Sequence, residues 1–214
     1  MNGYISVILR DKINNEDVSN IISKGGGLIP DYLIPSMSNF SVGISFGTSG
    51  NFRKIGDLKN STVMIGNLVV KSGEKGLIQL IPKRAETSDE FKILITELDE
   101  LISKTGIKER VMLYEIYVNF IRDRKENTMK KVILPELKTI KDPRLFGLRI
   151  FEGDLADQDI RTQHWKQINI EPIVQDPTKL GITMIFRSEH LQKNIISEGL
   201  EDVDKLLNYP KEMV

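Results

Sequence analysis

The sequence predicts an α+β fold made of two β-α-β-β-β-α halves, with mainly antiparallel sheets and long helices packed on one sheet face. Three observations predict it. In Arg110–Asp123 the residues Met112, Tyr114, Ile116, Val118 and Phe120 sit two apart, and side chains two apart on a strand share a face. In Thr87–Lys104 the apolar residues Phe91, Leu94, Ile95, Leu98, Leu101 and Ile102 recur at helical spacing instead. The element order of the first half then recurs in the second. FSVGISF from Phe40 matches FGLRIFE from Phe146 in apolar pattern, 106 residues on, and Ser88-Asp89-Glu90-Phe91 matches Ser188-Glu189-His190-Leu191, 100 residues on. The chain is expected to be an internal duplication, with repeats 1–107 and 108–214 forming one pseudo-symmetric unit.

The first half opens with an expected strand, Tyr4–Arg10. A short helix follows, with Asn15 as its expected N-cap, Val18, Ile21 and Ile22 inward, and Gly25 past its end. Gly25-Gly26-Gly27 is open to two readings. One is a phosphate-cradling loop, which needs glycines leading into a helix N-terminus. The other is a helix stop and a flexible connection, and Leu28-Ile29-Pro30 after the glycines favours it. Three extended runs come next, Phe40–Gly47, Thr62–Val70 and Leu77–Pro82, with Thr48–Asn60 expected as a loop. Phe40–Gly47 alternates large apolar residues with Ser and Gly, and a bare strand face lets other groups approach the backbone. Thr87 and Glu90 form a capping box for the long helix, and Gly106 sits past its end.

The second half repeats the plan from the central strand at Arg110. A helical stretch spans Lys125–Lys138. The extended runs are Leu145–Glu152, His164–Val174 and Leu180–Arg187, with Asp176-Pro177 closing a hairpin. Phe146, Leu148 and Ile150 are expected inward, as are Ile168, Ile170 and Val174. A helix from about Glu189 to Leu207 closes the chain, with Gly199 in its middle as a sign of close helix contact. In topology alone this plan is similar to duplicated saddle folds such as that of the TATA-box-binding protein. The chain carries none of that family's sequence motifs, and the likeness implies an architecture, not a function.

Composition narrows the function classes. Lysine and arginine number 30, as do aspartate and glutamate, so the formal net charge is zero. A chain that grips nucleic-acid backbone carries a basic excess, so nucleic acid is not the expected partner. The absence of cysteine excludes disulfides, thiolate metal sites and cysteine nucleophiles. Only His164 and His190 are histidines, too few for a histidine-rich metal site. The opening MNGYISVILRDK has a short apolar run ending in charge, unlike a secretory signal. No apolar run approaches the ~20 residues of a membrane span. The expectation is a cytoplasmic protein with no cofactor and no catalytic or metal-ligating set.

Strand alternation assigns the candidate binding surface. If the helices cover one sheet face, Glu115, Asn119, Arg149, Trp165, Asn169, Glu171 and Arg187 share the other, with Gln167 among them. Ser6, Ser41, Gly43, Ser45 and Gln79 are the corresponding positions of the first half. The charged four, Glu115, Arg149, Glu171 and Arg187, admit three readings. They are cross-strand ion pairs on a wet sheet, each contributing about 0–1 kcal/mol. Or they line a polar groove that grips a peptide, a protein or a small anion through arginine forks. Or two carboxylates do acid–base work. Trp165 is either an interface anchor or an edge of the core. The expected function is a non-enzymatic interaction or regulatory protein using the helix-free face and binding a protein or peptide. The alternative is a small-molecule-binding protein or enzyme with a site between the halves.

Overall fold

The fold is that of a computed structural model, which describes residues 1–30, 50–70, 73–84, 86–123, 147–153 and 164–207. Its elements in chain order are β1 (Asn2–Leu9), α1 (Asn15–Lys24), β2 (Ile29–Pro30), β3 (Gly50–Asp57), β4 (Ser61–Val70) and β5 (Gly73–Pro82). They continue with α2 (Ser88–Thr105), a single 3₁₀ turn (Lys108–Arg110), β6 (Val111–Asp123), β7 (Leu148–Glu152), β8 (Trp165–Ile173), β9 (Asp176–Ser188) and α3 (Ile195–Leu207). The nine described strands form one sheet in the order β2-β3-β4-β5-β1-β6-β9-β8-β7. Every described pairing in it is antiparallel. The architecture is α+β, as expected.

The expected central strand is β6, and it lies inside the sheet between β1 and β9. The junction of β1 and β6 is a seam. Outward from it the order is β1-β5-β4-β3 on one flank and β6-β9-β8-β7 on the other. Each flank begins with its earliest strand and continues from its latest strand backwards.

One face of this sheet builds the main core. Ile5, Val7 and Leu9 of β1, Ile116 and Val118 of β6, Ile168 and Ile170 of β8, and Ile182 and Met184 of β9 belong to it. Ile21 of α1, Phe91, Leu94 and Leu98 of α2, and Ile195, Ile196 and Val203 of α3 join the same cluster. Alternation at period two on the strands meets the period-3.6 stripes of the helices there. The ends of α2 are those the sequence predicts. The side chains of Thr87 and Glu90 form the reciprocal box, and Gly106 closes the helix at φ 74, in the left-handed region that favours glycine. Helix α1 differs by one residue: its cap is Asn14, boxed with Asp17, because Asn14 supplies the extended backbone and the side-chain acceptor. Arg110 then ties the start of β6 back to α1, donating from Nε to Asp11 at 2.8 Å, from Nη1 to Asp17 at 2.5 Å and from Nη2 to the Lys12 carbonyl at 3.0 Å.

Four expectations are corrected. Thr48–Asn60 is not a plain loop, because Gly50–Asp57 pairs with β4 as β3. A bulge between Lys54 and Gly56 breaks its alternation, which hides the strand signal. The closing helix begins at Ile195, not near Glu189; the Ser188 hydroxyl donates to the His190 carbonyl, a local bond that competes with helix. Val174 is 77% exposed because β8 ends at Ile173, beyond a register shift at Pro172, and the chain turns there. Ile150 is 37% exposed because β7 is an outer strand. The expected strand Phe40–Gly47, the expected helix Lys125–Lys138 and Phe146 lie outside the described residues.

Candidate binding site

On the face opposite the main core, register sorts the side chains into rows that cross the sheet. The first row runs Met64, Gln79, Ser6, Glu115, Arg187, Trp165 across β4, β5, β1, β6, β9 and β8. The next runs Tyr4, Tyr117, Ile185, Gln167, Phe151. A third runs Asn2, Asn119, Thr183, Asn169, Arg149. Glu171 lies one row further, opposite Gly181. All seven candidate residues thus fall on one face, in three rows. They do not share one environment. Glu115, Trp165 and Arg187 are buried, Asn119 and Asn169 are half-buried, and Arg149 and Glu171 are exposed.

The first row is the chemically dense one. Glu115 and Arg187 are each 3% exposed. Arg187 Nε donates to Glu115 Oε2, and the Tyr4 hydroxyl donates to Glu115 Oε1 at 2.8 Å. The Arg187 guanidinium also lies over the Trp165 ring, 4.9 Å from its centre, where the ring quadrupole attracts a cation. Trp165 stacks on Phe151 at 5.7 Å, and Tyr4 stacks on Tyr117 at 5.1 Å with a 9° interplanar angle. Burial, and after it the Glu115 carboxylate, pushes the Tyr4 hydroxyl well above the ordinary tyrosine pKa. Tyr4 therefore stays a donor over the whole physiological range.

The wet-sheet expectation for the charged four is corrected by these contacts. Glu115 and Arg187 form a buried pair, in which desolvation opposes the Coulomb attraction. Arg149 Nη2 donates to Gln167 Oε1 at 2.8 Å, in the second row. Trp165 is both an edge of the packed interior and a member of the row.

Beside this satisfied pair lie buried polar atoms that no described residue satisfies. Ser6 Oγ, both polar atoms of the Gln79 amide and Asn169 Oδ1 have no hydrogen-bond partner among the described residues. Ser6 and Gln79 are 0% and 1% exposed. Tyr4, Ser6 and Gln79 complete the site from the first half. Ser6 and Gln79 carried a sequence signal, their parity on the strand; Tyr4 shares that parity but was not among the expected positions.

The first-half part of this face is not bare. Ile8, Phe52, Met64, Leu68, Val70, Leu77 and Leu113 form a second apolar cluster. Ser41, Gly43 and Ser45, expected there, lie outside the described residues. The glycine run ends α1: Gly25 N–H donates to Ile21 O, and Gly26 and Gly27 have φ 62 and 93. It lines a groove of about 410 Å³ with Glu97 and Glu100 of α2. Lys59 lines it too, and the glycines follow a helix C-terminus, its negative end, rather than lead into an N-terminus as a phosphate loop does.

Among the described residues, no group of three or more histidine, aspartate or glutamate side chains is placed to hold a metal ion. No helix among them is long and apolar enough to cross a membrane. No protein-family model, curated protein or solved structure matches the chain.

Proposed function

We propose that the chain is a non-enzymatic binding protein whose recognition surface is the sheet face turned away from the main core. We further read it as two related halves, 1–107 and 108–214, with the site at their seam. The mirrored strand order on either side of β1 and β6 supports the second statement. One observation carries the first: fully buried, unpartnered polar atoms stand beside a satisfied ion pair, and first-half and second-half residues contribute alike. A buried polar group without a partner costs about 1–3 kcal/mol. Such groups are poor choices for stability and good ones for recognition. Glu115 has both oxygens committed, to Tyr4 and to Arg187, which suits it to holding the row in place rather than to moving protons.

We favour a small polar molecule over a protein as the partner. The first-row residues Ser6, Gln79, Glu115, Arg187 and Trp165 are closed to a large surface, which would reach the exposed Arg149 and Glu171 instead. Trp165 is the only tryptophan, so its emission reports on the row alone. Titration with small polar molecules of each charge class is expected to give, for one class, a saturable change in Trp165 emission and a raised melting temperature. If no class does so, while a protein partner binds through Arg149 and Glu171, the seam is not the site.

A further inference from the structure

We infer that the groove at the end of α1 is a second binding site, separate from the seam, and that it takes a small zwitterion with an apolar side chain, of the α-amino-acid type. The groove offers space. About 410 Å³ lies between the glycine run after α1, the turn from β3 to β4 and one side of α2, which is within the range of small-molecule sites. Gly27 keeps that space open: a Cβ there would meet nothing within 4 Å. Part of the lining is apolar, from Leu58, Ile93 and Leu101. Ile93 is 46% exposed, so it has apolar surface left for a ligand's hydrocarbon part to cover.

Both signs of charge line the rest. Lys59 is exposed on the turn between β3 and β4, and its ammonium has no hydrogen-bond or ion-pair partner among the described residues. Glu97 faces the groove from α2. Among the described residues its carboxylate accepts from neutral donors alone: the Asn60 N–H at 3.0 Å, the Asn60 side-chain amide at 2.8 Å and the Ser61 hydroxyl at 2.8 Å. Those bonds fasten the turn that bears Lys59 to α2, so the two signs are held close together. The last turn of α1 adds carbonyls. Gly25 N–H answers Ile21 O, and the carbonyls after it have no partner within the helix. The chain already sets a cation at that end: Lys104 Nζ, bonded to Glu100 at 3.0 Å, lies 2.8 Å from where a Cβ on Gly26 would stand. An ammonium therefore suits the carbonyl end and Glu97, a carboxylate suits Lys59, and an apolar side chain suits Ile93. A ligand of one sign alone meets its like on one wall and loses a contact on the other.

The test is a titration of the full ¹⁵N-labelled chain with L-leucine, its cationic amide leucinamide and its anionic analogue 4-methylpentanoate. It is run at about pH 6, between the ordinary α-carboxyl and α-amino pKa values. The backbone amide signals of Gly26 and Gly27 report on the groove. Trp165 emission is followed in parallel and reports on the other flank of the sheet. Leucine is expected to shift the glycine signals saturably and leave Trp165 unchanged. It should bind at least about threefold more tightly than either analogue, the ratio for one exposed ion pair. Lys59→Met, an exposed change that should leave the melting temperature unaltered, is expected to remove the preference for leucine over leucinamide. Equal or tighter binding of leucinamide or 4-methylpentanoate to the wild type would overturn the zwitterion assignment. A preference unchanged in Lys59→Met would overturn the role of Lys59. Glycine signals that no probe moves would overturn the site, and a Trp165 response to leucine with silent glycines would place leucine at the seam instead.

Discussion

Glu115 and Arg187 are as deeply buried as the leucines beside them, yet each carries a charge. Removing one partner strands the other. Glu115→Gln or Arg187→Met alone is expected to cost roughly 3–5 kcal/mol in urea unfolding, and the double change Glu115→Leu with Arg187→Met far less than the sum. Additive losses would mean that the two side chains do not depend on each other. Tyr4 adds a pH dependence. Its folded pKa is raised, so its contribution is fully present below the unfolded value of about 10 and is lost as pH rises past it. The wild-type urea midpoint should therefore fall more steeply above about pH 10 than that of Tyr4→Phe. Parallel pH profiles would show that neither burial nor Glu115 raises the Tyr4 hydroxyl pKa in the folded state. The shared face of Glu115, Asn119, Arg149, Trp165, Asn169, Glu171 and Arg187 was legible in the sequence, because it follows from counting by two along each strand. Their grouping into rows was not. Rows depend on register between strands about a hundred residues apart, as for Tyr4 and Glu115.

At the scale of elements, helices read well and the weaker strands read poorly. The stripe, capping box and closing glycine of α2 are local, so its two ends were legible. Leu98 is 0% exposed, and Leu98→Ala should cost roughly 2–5 kcal/mol in denaturant unfolding. A loss under half a kcal/mol would place the stripe in water. Strand β3 was missed because Arg53 and Lys54 are exposed and the bulge after them interrupts the period. Gly199 was read from its place alone as a sign of close packing. A Cβ there would lie 2.6 Å from Phe186 Cζ and 3.0 Å from Met184 Sδ. Alanine ordinarily stabilises a helix interior by about 1 kcal/mol over glycine. Here the overpacking of α3 on β9 should outweigh that, so Gly199→Ala is expected to lower the melting temperature. A raised melting temperature would mean that α3 has room to move away from β9.

At the scale of the molecule, the α+β class and the central place of β6 were readable from pattern, since β6 has the longest apolar alternation in the chain. Strand order was not, because nothing local says that β5 returns to lie beside β1 or β9 beside β6. That order brings Ser6 and Gln79 of the first half next to Glu115 and Arg187 of the second. The central claim is that this row is kept for recognition and not for stability. Urea unfolding of the double variant Ser6→Ala with Gln79→Met tests it most directly, since both changes keep shape while removing unpartnered polar atoms. The predicted result is a midpoint equal to or above that of the wild type, because exchanging unsatisfied groups for apolar ones of similar size is neutral or stabilising. A loss of more than about 1 kcal/mol would show that Ser6 and Gln79 make bonds that hold the fold together, and would contradict the claim.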